Sequence, residues 1–427
     1  MIAPPPPAVL DLPDPSLVVL IGAAGAGKST FAARQFPSAA IHSSDACRQE
    51  VSGDAGDQNA TTAAFALVHE RVGRALQELR LAVVDATSIH GADRAPLLAL
   101  ARRHHLPRVA IVLHPTLEQC LERNAARERV VPPAAVRRQW MALQASIDRL
   151  QPEGYHAIWR LDSAEAIDAA RIRLQPLPCD RRRERGPFDV IGDVHGCDDE
   201  LARLLRSLGY LSGLPHPRGR RAVFVGDLVD RGPQVPAVLR RVMAMCAAGQ
   251  ALCVLGNHER KLLRKLDGGD PLITHGLAES LAQLSSEPAD FLERVRAFLR
   301  GLPDHLLLDG GDLVVAHAGM REDLQGRQSR RVNAFALYGD PSGEVDAAGL
   351  PVRRDWAARY GGPAAVVYGH TPTRRAAWRN NTICVDTGCV FGGALSAVRW
   401  PERDVVSVPA LRVHYGDGST VDVDGGG

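Results

Sequence analysis

The stretch Leu17-Val-Val-Leu-Ile-Gly22-Ala-Ala-Gly25-Ala-Gly27-Lys28-Ser29-Thr30 decides how the first half of the chain is read. Its second part matches GxxxxGK(S/T) without a mismatch. An apolar run leads into it, and a helical stretch, residues 29–36, leads out and stops at Pro37. That is the strand–turn–helix context the motif needs. Small residues let backbone N–H groups wrap phosphates at a helix N-terminus. Gly22, Gly25 and Gly27 shape the turn. Lys28 reaches the β- and γ-phosphates of ATP or another NTP, and Ser29, followed by Thr30, holds Mg²⁺. Lysine occurs only at 28, 261 and 265 among 51 Lys plus Arg, so a lysine kept at 28 against that bias has a specific job.

Outward from this turn, 81–84, 108–113 and 157–161 are further apolar runs. Segments of helical period separate them, which predicts a parallel α/β sheet with helices on both faces. Val136, Trp140, Leu143, Ile147 and Leu150 recur every three or four residues and form the core face of one such helix. After the next strand comes Ser43-Ser44-Asp45-Ala-Cys-Arg48. Asp45 is placed either to take the proton of an attacking hydroxyl or to cap a helix. Arg48, about one turn on, faces the same cleft and offers a bidentate grip on an acceptor phosphate. Asp85, at the end of 81–84, either assists Mg²⁺ through water or caps the next segment. Arg123 and Arg127 stand four apart, which puts them on one helix face. They either close as a lid over the transferring phosphoryl group, where charge needs donors, or form a solvated face.

The second half carries five separated pieces: Gly192-Asp193-Val-His195-Gly196, Gly226-Asp227-Leu-Val-Asp230-Arg231-Gly232, Gly256-Asn257-His258-Glu259, Val315-Ala-His317-Ala-Gly319 and Tyr368-Gly369-His370-Thr371. Apolar strands precede them, so the ligand-type residues sit at strand ends of a layered α/β/β/α sandwich. Mixed Asp, His and Asn ligands suit Mn²⁺, Fe or Zn rather than an all-oxygen cage, and Mn²⁺ is the expected occupant. Asp193, His195 and Asp227 are assigned to one ion. Asp227, Asn257, His317 and His370 are assigned to a second, with Asp227 bridging and the pair activating water. Arg231 grips the phosphate. His258, oriented by Asp230, protonates the leaving oxygen.

A chain of 427 residues has room for two or three domains. We divide it into a flexible arm (1–15, with Pro4 to Pro7), a P-loop domain (16–177), an Arg-rich linker (178–187), a metal-site domain (188–420) and a flexible tail (421–427). The linker's arginines are read as solvated, with nucleic-acid contact the alternative. A net charge of +2 does not announce a nucleic-acid binder. No basic, apolar leader opens the chain and no run approaches the roughly 20 apolar residues of a membrane helix. Eight cysteines without a CxxC pair fit reduced thiols in the cytoplasm.

The five pieces resemble the calcineurin-like metallophosphoesterases, in the branch containing phosphoprotein phosphatases and diadenosine polyphosphate hydrolases. With GAAGAGKST, SSDACR, VVDATS, CLERNAARERVVP, GPFDVIGDVHG, GNHERKLLR and VDTGCVFGG in order, residues 16–420 resemble bacterial polynucleotide kinase-phosphatase, the end-healing component of RNA repair. The resemblance implies Asp45 as general base, Arg48 as a 5′-end contact, Arg123 and Arg127 as lid residues, and Asp386 as a further member of the phosphatase site. It implies NTP-dependent phosphorylation of 5′-OH ends of RNA or DNA, and removal of 2′,3′-cyclic or terminal phosphates. The family's ligase-type domain has no counterpart here, so a separate ligase is the expected partner; a homodimer is also compatible. The competing expectation is a small-molecule or nucleotide kinase joined to a diadenosine polyphosphatase or phosphoprotein phosphatase.

Overall fold

The computed structural model describes residues 9–57, 59–211, 213–345 and 351–416. The chain forms two compact units, one running through Leu177 with Arg327–Ser329 added, the other comprising the rest from Pro178.

The first unit begins with β1 (Val9–Asp14) and β2 (Leu17–Ile21). It continues through α1 (Lys28–Gln35), β3 (Ile41–Ser43), α2 (Ser44–Ser52), α3 (Thr61–Gln77), β4 (Ala82–Asp85), α4 (Gly91–Arg103), β5 (Arg108–Leu113), α5 (Leu117–Ala125), α6 (Pro133–Ser146), β6 (Ala157–Leu161), α7 (Ala164–Ala169) and β7 (Arg171–Pro176). Five strands form one sheet in the order β3-β4-β2-β5-β6, every pair parallel. A parallel sheet is covered on both faces, which is why β2 is apolar at all five positions and buried throughout. Val18 and Leu20 pack with Phe31, Cys120, Val136 and Ile167. Leu17, Val19 and Ile21 point the other way, to the side where α3 and α4 contact each other, β4 and β2.

Two features differ from the sequence reading. Part of the expected arm, Val9–Asp14, is a strand paired with β7, because Leu10 and Leu12 alternate into the core; residues 1–8 lie outside the described residues. And α5 stops at Ala125, so Arg127 is not on its face. Asn124 turns the chain there: its side chain donates to Val131 O (2.8 Å) and accepts from Val131 N (3.1 Å), and Pro132 and Pro133 follow.

The second unit contains β8 (Phe188–Ile191), α8 (Asp198–Leu208), β9 (Arg221–Phe224), α9 (Val235–Ala247), β10 (Ala251–Cys253), α10 (Asn257–Leu266), α11 (Leu277–Ser285), α12 (Ala289–Gly301), β11 (His305–Leu308), β12 (Leu313–Ala316) and α13 (Arg330–Tyr338). A small pair, β13 (Pro341–Val345) and β14 (Pro351–Arg353), precedes β15 (Ala365–Tyr368), β16 (Trp378–Arg379), β17 (Thr382–Cys384), β18 (Asp386–Thr387), β19 (Ala394–Trp400) and β20 (Val405–Pro409). One sheet runs β10-β9-β8-β19-β18, with β20 on β19; the second runs β11-β12-β15-β17-β16. Between them Phe188, Val190 and Val223 meet Leu306, Val315 and Val367. Outside the first sheet, Ile191 and Phe224 pack with residues of α8 to α12; outside the second, Val314 and Val366 pack with α13 and Trp356. The architecture is the expected α/β/β/α sandwich.

The stretch 178–187, expected as a linker, is tied into this unit. Leu307 N donates to Cys179 O (2.8 Å), Arg181 N to Leu307 O (3.0 Å), and the Arg221 guanidinium pairs with Glu184 (2.6 Å). The tail 421–427 lies outside the described residues. Among the described residues no helix is long and apolar enough to cross a membrane.

Candidate active sites

In the first unit, β2 ends in the glycine turn. Gly25 and Gly27 have φ of 79° and 91°, and Gly27 caps α1 with no side chain over the helix N-terminus. A Cβ on Gly25 would lie 2.0 Å from Cys120 O, so only glycine fits. Gly25, Gly27, Lys28, Ser29 and Thr30 line a cleft of about 340 Å³ with Arg123 and Arg127. The loop that displaced Arg127 from the helix therefore still brings both arginines to the turn. Lys28 donates to Gly22 O (2.8 Å) and Ala23 O (2.9 Å). Burial pulls its pKa down to about 8, against the Asp85 and Asp45 charges. Such a buried cation calls for an anion.

Asp45 does not cap α2: Ser43 does, its Oγ accepting from Ala46 N. The Asp45 carboxylate is half exposed and held between two guanidinia, Arg48 Nη1 and Arg129 Nη1, the latter at 3.5 Å. Arg48 is buried and its Nε has no partner. Asp85 closes β4, buried, in register with Leu20 and Ser43. Not foreseen from the sequence were Arg129, which also donates to Ala55 O (2.7 Å), and Arg34 and Asp168, which pair at 3.1 Å in the wall of the cleft. Arg129 carried a signal, being two residues beyond Arg127; Asp168 carried none.

In the second unit, loops after β8, β9, β10, β12 and β15 converge. Five of their residues hold left-handed backbone: His195 (44°), Asp227 (48°), Asp230 (71°), Arg231 (69°) and His370 (76°). Such strain persists only where surrounding structure imposes it, and it collects at functional sites. Glu259 does much of the imposing. Buried at the start of α10, it accepts from the N–H groups of Asp227 (2.7 Å), Leu228 (2.8 Å), Val229 (3.2 Å) and Gly256 (3.1 Å). The sequence reading quoted Glu259 without giving it a task.

Asp227 Oδ2 is the centre of the group. It lies 3.4 Å from His317 Nε2, 3.6 Å from His195 Nε2 and 3.8 Å from His258 Nε2. Backbone carbonyls fix two of the rings: His195 Nδ1 donates to Val229 O (2.8 Å) and His317 Nδ1 to Val225 O (3.0 Å). Both Nε2 lone pairs therefore face inward. His317 Nε2 meets Asn257 Oδ1 at 2.7 Å and His370 Nδ1 at 3.0 Å. With Nδ1 donating to Val225 O, His317 Nε2 is an acceptor, as is Asn257 Oδ1, and two acceptors this close repel unless a cation lies between them. On the other side, Arg231 Nη1 donates to His195 Nε2 (2.7 Å), supplying positive charge to a lone pair that also suits a metal.

Asp193 accepts from His370 N (3.1 Å), and burial with the Asp386 and Asp227 charges holds its carboxyl well above the usual range. Asp386, also buried, is pushed up to about 6, chiefly by burial. Three buried carboxyls in mutual reach are a second reason the donor set fits divalent cations. Asp227, His317 and His370 form a compact ligand group with Asn257 beside it; the group around His195 contains Asp227 and His258 rather than Asp193. His258 is otherwise engaged: Nδ1 bonds Asp230 Oδ2 at 2.6 Å, and Asp230 Oδ1 accepts from Ser280 Oγ (2.6 Å).

Comparison with known proteins falls along the same division. Residues 17–150 match an AAA-domain model, and residues 186–374 match the calcineurin-like phosphoesterase model. The bis(5′-nucleosyl)-tetraphosphatase PrpE (asymmetrical) of Geobacillus thermodenitrificans is 47% identical over 234 residues, covering 53% of this chain and 96% of its own. That of Bacillus subtilis is 46% identical over 230 residues, covering 52% and 94%. A protein serine/threonine phosphatase structure from Saccharomyces cerevisiae aligns at 16% identity and TM-score 0.39, over 56% of this chain and 84% of its own.

Proposed function

Because the chain belongs, through its second unit, to the calcineurin-like phosphoesterase family, we propose that this unit hydrolyses nucleotide phosphoanhydrides and phosphoesters, with bis(5′-nucleosyl) polyphosphates as the first substrate class. The first unit is proposed to transfer a phosphoryl group from an NTP to an acceptor hydroxyl. The observation that carries the hydrolytic reading is Asp227 Oδ2 set among three histidine Nε2 atoms. The relatives' names support the substrate class and suggest asymmetrical cleavage.

Asp193, His195 and Asp227 would hold one divalent ion, and Asp227, Asn257, His317 and His370 a second. Such ions supply charge stabilisation to the phosphoryl oxygens and a water nucleophile at neutral pH. Arg231 reaches the same centre through His195 Nε2 (2.7 Å), and were that nitrogen to hold a cation the guanidinium would be free to bind phosphate. With Asp230 accepting from Nδ1, His258 carries a proton on Nε2 only as the imidazolium; burial opposes that form, but the Asp227 and Asp230 carboxylates outweigh it and raise the pKa, so the ring can donate to a leaving oxygen there. Ser280 holds Asp230 in place.

End-healing of RNA or DNA is the second reading, and one observation favours it. Asp45, a base by type, stands half exposed between Arg48 and Arg129 in the unit with the phosphate turn, an arrangement suited to a hydroxyl next to a phosphodiester. One experiment separates the readings: purified protein with Mn²⁺ is given diadenosine tetraphosphate, a 3′-phosphate oligonucleotide and a 2′,3′-cyclic phosphate oligonucleotide at equal concentration. The leading proposal expects the dinucleotide to be cleaved fastest, to ATP and AMP. Preference for the oligonucleotide ends, with labelled phosphate passing from ATP to a 5′-OH oligonucleotide, replaces it with end-healing.

A further inference from the structure

A second cluster of ligand-type side chains lies in the second unit, and none of the chemistry above uses it. Cys197 precedes α8, Glu200 is the third residue of that helix, and Cys389 opens the short turn Cys389–Phe391 after β18. The two Sγ atoms and a Glu200 oxygen all lie within 4.8 Å of one another. The three residues are 0%, 0% and 2% exposed in chain order. Among the described residues this is the one metal-competent group that contains cysteine. No cysteine is in a disulfide.

The Glu200 carboxylate is the informative member. Oε1 accepts from Leu411 N (2.9 Å) and bonds His414 Nε2 (2.8 Å). Oε2 is buried and has no partner. A carboxylate oxygen left so, beside two thiols that are weak donors, carries a desolvation cost that packing does not offset. A cation would satisfy it. Two thiolates on one tetrahedral zinc, at about 2.3 Å each, stand about 3.8 Å apart, inside the 4.8 Å within which these atoms lie. Two sulfurs and a carboxylate suit a thiophilic ion and not the harder ions that oxygen-rich sites take.

We propose that Cys197, Glu200 and Cys389, with His414 orienting the Glu200 carboxylate, form a third cation site, taking Zn²⁺ or an ion of like softness, that fastens together the two loops carrying Asp193, His195 and Asp386. The connections are short. Cys197 follows His195 by two residues in the same loop, and Asp386 Oδ1 accepts from Gly388 N, one residue before Cys389. An ion here would fix the spacing of these loops without touching substrate. On binding, each thiol loses its proton to buffer and no electrons are exchanged.

Cobalt(II) reports the ligands directly, because thiolate-to-cobalt charge transfer arises only where sulfur binds. The full chain, reduced and stripped of metal, is titrated with Co²⁺ alongside Cys197→Ser and Cys389→Ser. The expected result is a charge-transfer absorption whose final amplitude is that of one sulfur-bound ion per chain, the oxygen- and nitrogen-bound ions adding none, and that is displaced by Zn²⁺ and lost in both variants. Cys389→Ala, with its fold checked by circular dichroism, covers the case in which serine disturbs packing. Absence of the absorption in the reduced wild-type protein overturns the proposal, as does an absorption that survives in Cys389→Ser or Cys389→Ala.

Discussion

Asp227 is asked to do two things at once. Its Oδ1 accepts from His258 N (3.1 Å) and so sets α10, while its Oδ2 faces His195 on one side and His317 on the other. If it bridges two ions, its loss damages both ion sites together. Asp227→Ala should lower bound metal by most of about two equivalents relative to wild type and abolish hydrolysis of p-nitrophenyl phosphate, as measured by elemental analysis and turnover. His258→Ala should behave differently, since Nδ1 is committed to Asp230. Metal should stay, and the slowing should be roughly 10²–10⁴-fold for a nucleoside leaving group but much smaller for p-nitrophenolate, which needs little protonation. Equal slowing of both substrates would remove His258 from the proton-donor role. In the first unit, Asp45→Asn should cost roughly 10²–10⁴-fold in phosphoryl transfer if Asp45 is the base. Since Ser43 supplies the cap, melting should scarcely move; an unchanged turnover would refute the assignment. Residue identities were the most legible layer of the sequence, because Asp, His, Asn and Arg in this order have few other uses together. Glu259 and Ser280 were not legible in the same way. Their work is done on backbone N–H groups and on the far oxygen of Asp230, and nothing in spacing reveals that. Asp386 was reachable only by resemblance, since its relation to Asp193 is one of burial.

At the scale of elements, the site is a set of strand ends whose turns are too sharp for ordinary backbone. Gly232 shows how close they come: a Cβ there would lie 1.9 Å from His195 O. Gly232→Ala should therefore force the loops after β8 and β9 apart. We expect about 1–3 kcal/mol of lost stability from the overpacking, with hydrolysis lost before the fold is, read by denaturant titration and turnover on the same sample. Wild-type turnover in that variant would show that the loop spacing is not what organises the centre. The apolar strands were legible, β2 and β5 to the residue, because buried parallel strands are continuous apolar runs; β6 has the expected bounds but is an edge strand, with only Leu161 buried and Arg160 exposed. β1 was not, since Pro13, Asp14 and Pro15 break its pattern and its partner β7 lies more than 150 residues away. The end of α5 was misread for a local reason. Four-residue spacing of arginines looks helical, but an Asn124 side chain that bonds both sides of Val131 ends the helix first.

At the scale of the whole chain, two units with separate cores carry two phosphate-directed sites, and the account holds that each works with its own machinery. One double comparison tests this most directly: Lys28→Ala and Asp227→Ala, each assayed both for ATP-dependent phosphoryl transfer and for Mn²⁺-dependent hydrolysis of diadenosine tetraphosphate. The account predicts a crossed result. Lys28→Ala loses transfer and keeps hydrolysis within about twofold, since the two sites are built on separate cores and act independently, and Asp227→Ala does the reverse. Loss of both activities in either variant, with the variant folded, would contradict it.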